Sequence, residues 1–72
     1  MSAHQETHTI EEMRAAFKAG QRIAHTVTDQ TSLGSHGEAH KHGYVKYSFL
    51  AKCFACGFEI EREHIKAARR AA

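Results

Sequence analysis

The chemistry open to this chain lies mainly in two cysteines and seven histidines. Cys53 and Cys56 are separated by two residues and followed by Gly57. Thiolates at this spacing can converge on one metal ion across a tight turn, and a glycine after the second relieves the backbone where it doubles back. The run Tyr44 to Lys52 ahead of them alternates apolar and polar residues, with Val45, Tyr47, Phe49 and Ala51 on one face. Gly57 to Glu61 alternates again behind them. Strand, CxxCG, strand predicts a zinc knuckle and supplies half of a tetrahedral site. One structural zinc per chain is the expected cofactor. It would contribute about 10–16 kcal/mol of apparent binding energy, more than the core of so short a chain supplies.

The other two ligands are sought among the histidines. An extended 44–52 segment carries His42 roughly 30 Å or more from Cys53, at ~3.3 Å per residue. Gln21 to Thr28 places Ile23, His25 and Val27 on one face of a second strand, and a hairpin between the two strands sets His25 opposite Cys53. His25 is the expected third ligand. His64, eight residues after Cys56, is the expected fourth, carried part of the way back by a helix rising only ~1.5 Å per residue. His36, His40 and His42, in the glycine-rich segment Asp29 to Gly43, are the rivals, His36 ahead of the others. His4 and His8 stand four apart in a polar N-terminal stretch, residues 1–8, that reads as a disordered tail.

The elements that must position these residues follow from pattern. Thr9 and Glu12 form a capping box, and Ile10, Met13 and Phe17 make an apolar stripe behind it. A helix over about Ile10 to Ala19 is expected, with Gly20 at its C′ position. From Glu61 onward a second helix carries Ile65, Ala68 and Ala72 on one side and cations around another. The expected fold is α+β: a zinc-ribbon-like three-stranded antiparallel sheet flanked by an N-terminal and a C-terminal helix, in the order α-β-β-β-α, forming one domain over 9–72.

Bulk properties narrow the classes. With 72 residues, 42% hydrophobic and 25% charged, the chain fits one small domain. No apolar run is long enough to span a membrane, and the N-terminus lacks the basic-then-apolar pattern of a signal peptide. A soluble cytoplasmic protein is expected. The formal charge of +2 permits nucleic-acid binding without arguing for it.

Phe49-Leu50-Ala51-Lys52-Cys53-Phe54-Ala55-Cys56-Gly57-Phe58 resembles the pattern aromatic-x-Ala-x-Cys-x-x-Cys-Gly-aromatic of small zinc-ribbon-like proteins of bacteria and their phages. In that family a histidine lies on a first strand, as His25 would here, and an alanine-rich helix often bears another. The resemblance spans about residues 25–72 and implies a zinc-stabilised fold; it leaves the target open. One departure is visible. The last histidine of such proteins lies further along the helix, where this chain has Arg69 and Arg70.

Three functions compete on these grounds. A closed Cys2His2 site leaves no open coordination position for chemistry, so the expected function is not enzymatic. It is a small binding module of the regulator or inhibitor type, with a protein or other macromolecule as partner and zinc purely structural. Phe54, apolar at the tip of the knuckle, either contacts that partner or folds onto the first helix. The alternative is nucleic-acid binding. Arg62, Lys66, Arg69 and Arg70 recur at i, i+4, i+7 and i+8, suited to phosphates, and Tyr44, Lys46, Ser48 and Lys52 would add a stacking platform and charge. Cations in a last helical turn also simply complement the helix dipole. The remote third is a zinc hydrolase. His36-Gly37-Glu38 with Cys53 and Cys56 has the outline of the H-x-E…C-x-x-C deaminase signature, but no proline precedes the cysteines and the chain is short for enclosing a base. A thioredoxin-like redox role would need CxxC to open a helix within a longer βαβ unit.

Overall fold

In the computed structural model, which describes residues 7–71, the order of elements is α1 (Ile10–Ala24), α2 (Ser35–Lys41) and α3 (Phe49–Ala71). No strand occurs among the described residues. The expected α-β-β-β-α sheet is replaced by three helices, and the likeness to zinc-ribbon proteins does not extend to the backbone. Nearly all of the N-terminal stretch expected to be disordered, His4 included, lies outside the described residues.

α1 starts where its capping box predicts. Glu12 N donates to Thr9 Oγ1 at 3.1 Å and Thr9 N donates to the Glu12 carboxylate at 2.9 Å. These bonds satisfy two of the orphan donors of the first turn. The helix then runs past Gly20 to Ala24, for 15 residues. Gln21 to Ala24, expected as the start of a strand, form its last turn instead, and His25 is its C-cap.

Gly20 is not a terminator because it is a contact. Ala16, Gly20 and Ala24 recur every four residues and are all buried, which gives α1 a stripe of small side chains. A Cβ on Gly20 would sit 2.0 Å from the Phe54 carbonyl oxygen and 2.8 Å from the Phe58 nitrogen. Gly57 returns the relation: a Cβ there would sit 2.1 Å from the Phe17 carbonyl oxygen. Each crossing point has room for a hydrogen and nothing larger, the arrangement of weak Cα–H···O contacts.

The same pairs fix direction. Phe17 meets Gly57, Gly20 meets Phe58, and Ala24 accepts a hydrogen bond from Arg62. Residue numbers rise together, so α1 and α3 run parallel. Parallel neighbours cannot be joined by a tight turn, and the connection 25–48 must travel back the length of the pair. Within it α2 folds over α3, burying Ala39 against Ala24, Ala51, Phe54 and Phe58.

α3 is the largest departure from expectation. It is one helix of 23 residues that takes in Phe49 to Lys52, the CxxCG segment and the C-terminal tail. Ser48 opens it, its Oγ accepting from Ala51 N at 3.2 Å, the N-cap geometry of a serine. The chain contains no proline, so nothing breaks the helix between Ser48 and its end. Gly57 costs about 1 kcal/mol in a helix interior, and the close approach to α1 offsets this. The period-two alternation over 44–52 was coincidental. Val45 and Tyr47 are exposed in a turn, with Tyr47 at φ 62°, a left-handed conformation rarely occupied by aromatic residues. Phe49 and Ala51 belong to the helix.

Replacing Gly20 or Gly57 with alanine should lower stability by about 1–3 kcal/mol despite the higher helix propensity of alanine, because the added methyl meets backbone that cannot step aside. Urea unfolding followed by circular dichroism measures this. Stabilisation by either change would mean that the helices do not cross there.

Candidate functional site

Helicity redistributes the residues singled out by their chemistry. Cys53 and Cys56 lie one turn apart on α3, Cys53 half-buried and Cys56 exposed. Burial, with Cys56 adding to it, pushes the Cys53 thiol above its ordinary value. His64 is on the same rigid helix, eight residues beyond Cys56, which is about 12 Å along the axis. Donors to one zinc must lie within about 4 Å of each other, given bonds of ~2.0–2.3 Å. The helix therefore holds His64 away from both sulfurs.

The structure does bring His25 and His64 near each other, on Glu61 rather than on the cysteines. His25 Nε2 lies 2.7 Å from Glu61 Oε2, and His64 Nδ1 lies 3.8 Å from Glu61 Oε1. Both imidazoles are open to solvent. The rival histidines are spread through α2 and its surroundings. The His36 ring is 5.5 Å from that of Tyr47, His40 is exposed, and His42 is the C-cap of α2 with its ring 6.1 Å from that of Phe54. Among the described residues no group of three or more histidine, cysteine, aspartate or glutamate side chains is placed to hold a metal ion. The expected Cys53–Cys56–His25–His64 centre is not assembled, and the donors present do not fit the structural zinc of the ribbon family.

The residues expected to meet a partner also separate. Phe54 is fully buried at the centre of the core, its ring 5.3 Å from that of Tyr44. Of the two alternatives read for it, packing inward is the one observed. Arg62 is buried as well. Its Nη1 donates to Ala24 O at 3.1 Å and Val27 O at 3.0 Å, and its Nη2 donates to Asp29 Oδ1 at 2.6 Å. Arg62 thus closes the C-terminus of α1 and pins the start of the connection, satisfying carbonyls that a helix end leaves unpaired. Lys66 has its Nζ 3.9 Å from Glu63, and Arg69 and Arg70 are exposed in the last turn of α3. The four-cation face is reduced to three, and Tyr44 and Ser48, spent on packing and capping, do not extend it.

Glu38, the acid of the deaminase-like outline, is 1% exposed. Its Oε2 accepts from Leu33 N at 3.0 Å, tying down the entry to α2. Its Oε1 has no hydrogen-bond partner and lies 3.7 Å from His42 Nε2. Pattern matching on His36-Gly37-Glu38 picked out a buried carboxylate, but the cysteines share neither its helix nor its surroundings.

What α3 does present outward is an apolar seam. Cys53, Cys56 and Ile60 follow one another at intervals of three and four, and Phe49 precedes Cys53 by four. At 3.6 residues per turn these fall in one line, on the side opposite Phe54, Phe58 and Arg62, which face α1. Ile60 and Phe49 are each 45% exposed. Lys52 and Glu59 flank the line on one side. This signal is present in the sequence but hidden by the period-two alternation, which reads Phe49 as strand. No protein-family model, curated protein or solved structure matches this chain.

The Arg62–Asp29 bond gives an acid-sensitive contact. Hydrogen bonding from Arg62 holds the Asp29 carboxyl below its ordinary value of 3.8, and Lys66 and Arg69 add to this. A value lower in the folded chain than in the unfolded one means that unfolding takes up a proton, so this stabilisation is present above 3.8 and is lost as pH falls through the folded value. Thermal melting from about pH 6 to about pH 2 should show Asp29→Asn losing less stability than the native chain across that window. Equal acid sensitivity of the two would show that the bond is not formed in solution.

Proposed function

We propose that this chain is a small helical protein-interaction module that acts through the outer face of α3. One observation carries this: α3 is apolar on two opposite sides, and α1 and α2 cover only one of them. The inward side holds Ala51, Phe54 and Phe58. The outward side holds the Cys53, Cys56 and Ile60 seam, with charge only at its rim. Free cysteine behaves in such a setting as a small apolar residue. A buried core in which alanine predominates over larger side chains makes a further covering layer valuable, since small domains gain little from their own interior. No helix among the described residues is long and apolar enough to cross a membrane, so the two-sided apolar character of α3 does not mark it as a membrane span.

Nucleic-acid binding through Lys66, Arg69 and Arg70 is the competing outcome. Fluorescence anisotropy with random-sequence single- and double-stranded oligonucleotides separates the two. The module should bind them no more tightly than about 10⁻⁴ M at physiological salt. A photo-crosslinking side chain at position 56 should give discrete protein adducts that Ile60→Asp abolishes. Oligonucleotide binding near 10⁻⁶ M, steeply weakened by salt, insensitive to Ile60→Asp and lost when Arg69 and Arg70 become alanine, would contradict it.

A further inference from the structure

We infer that the partner on the outer face of α3 is a second copy of this chain, laid antiparallel about a two-fold axis between Cys53 and Cys56. This rests on the interaction-module reading and specifies its occupant. The seam positions 49, 53, 56 and 60 have the alternating four-three-four spacing of the apolar seam of a coiled coil. An antiparallel copy centred on that axis sets Phe49 opposite Ile60 of the second copy and Cys53 opposite Cys56 of the second copy, each pair occurring twice. Large faces large and small faces small, which fills the layers evenly.

Charge selects the same register. Lys52 and Glu59 lie seven residues apart on one edge of the seam. In the antiparallel arrangement Lys52 of one chain borders Glu59 of the other, giving two opposite-charge pairs across the rim. Glu59 Oε2 bonds Ser35 Oγ within its own chain at 2.5 Å, which orients the carboxylate and leaves its other oxygen for the lysine. A parallel pairing in the same line would instead set Cys53 beside Cys53 and put Lys52 and Glu59 of one chain on the edge opposite those of the other, so that no Lys52–Glu59 pair forms across the seam.

The register also covers what the monomer exposes elsewhere. The half of α3 beyond Ile60 would pass the turn before α3 in the second copy, where Val45 and Tyr47 are 74% and 63% exposed. A stable interface buries on the order of 1,000 Å² in total. About a tenth of the 5157 Å² surface of each chain would meet that. On α3, α1 and α2 occupy the side carrying Phe54, Phe58 and Arg62, and the His8 ring stacks on Phe49 at one end of the seam, with centroids 6.1 Å apart; the second copy would take the remaining side and pack Ile60 against this pair.

Sedimentation equilibrium of the full chain under reducing conditions, up to about 100 µM, tests the stoichiometry. A dimer is expected, converted to monomer by Ile60→Asp with the circular dichroism spectrum retained. Lys52→Glu should weaken dimerisation about tenfold by opposing like charges at both pairs along that rim, and Lys52→Glu with Glu59→Lys should restore it to within about threefold. Oxidation with diamide adds the register. Cysteines three apart on one helix have Cβ atoms about 5–6 Å apart, beyond the ~3.5–4.5 Å a disulfide needs, so crosslinks should form between chains. The native chain should crosslink as a dimer, and Cys53→Ser or Cys56→Ser alone should slow this at least about tenfold. A native chain that stays monomeric overturns the inference, even if position 56 still photo-crosslinks to a different protein, a result that would leave the module reading standing. A dimer in which either single-cysteine variant crosslinks as fast as the native chain, or in which the charge swap fails to restore association, overturns the antiparallel register. Oligonucleotide binding of the kind described above would overturn the module reading itself.

Discussion

Two glycines set the geometry of this molecule. Gly20 on α1 and Gly57 on α3 each place bare backbone against a carbonyl of the other helix, so the two helices approach as closely as backbones allow. Close approach lets a stripe of alanines serve as a core, because small side chains can fill so narrow a gap at interior density. It also fixes the pair as parallel. The connection must then return along the pair, and α2 arises on that return path as the lid over Ala51, Phe54 and Phe58. Arg62 completes the arrangement by reaching from α3 to the end of α1 and the first residues of the connection.

Sequence patterns revealed the parts of this fold that are local. Thr9 and Glu12 announce a helix start through bonds three residues apart, and the structure forms them. The alanine- and cation-rich segment after Glu61 is helical as expected. Signals with two physical meanings failed. A glycine at the end of an apolar stripe can terminate a helix or admit a neighbour, and only backbone more than thirty positions away in sequence, at Phe54 and Phe58, decides which for Gly20. CxxCG has the same ambiguity, since Gly57 serves a turn in a knuckle and a helix crossing here. The alternation of Val45, Tyr47, Phe49 and Ala51 spans a boundary: a turn capped by Ser48 occupies its first half and a helix its second. Short apolar runs do not distinguish strand from helix by period alone.

The candidate site shows the same division. Residue type picks out side chains that can bear chemistry but not their neighbours. His25 and His64 do approach each other, around Glu61, because α1 ends beside the middle of α3. The thiols are excluded from that group by the rise of a single helix. Arg62 looked like the first member of a phosphate-binding row and is instead a buried helix cap. Phe54, readable from sequence either as a contact tip or as folded onto the first helix, is the centre of the core. The outer seam of α3 emerges only once residues 49 to 60 are known to share one helix, and Cys53 and Cys56 then lie along it.

The continuity of α3 through Cys53–Gly57 is the central claim, since the glycine crossing, the inward core and the outward seam all depend on it. Backbone chemical shifts of residues 49–62, recorded by nuclear magnetic resonance with a chelator present, test it most directly. Unbroken helical Cα shifts across Cys53, Cys56 and Gly57, unchanged by the chelator, are the expected result. Strand-like shifts on either side of the cysteines, or a spectrum that collapses when metal is removed, would contradict it and return the chain to a metal-centred fold.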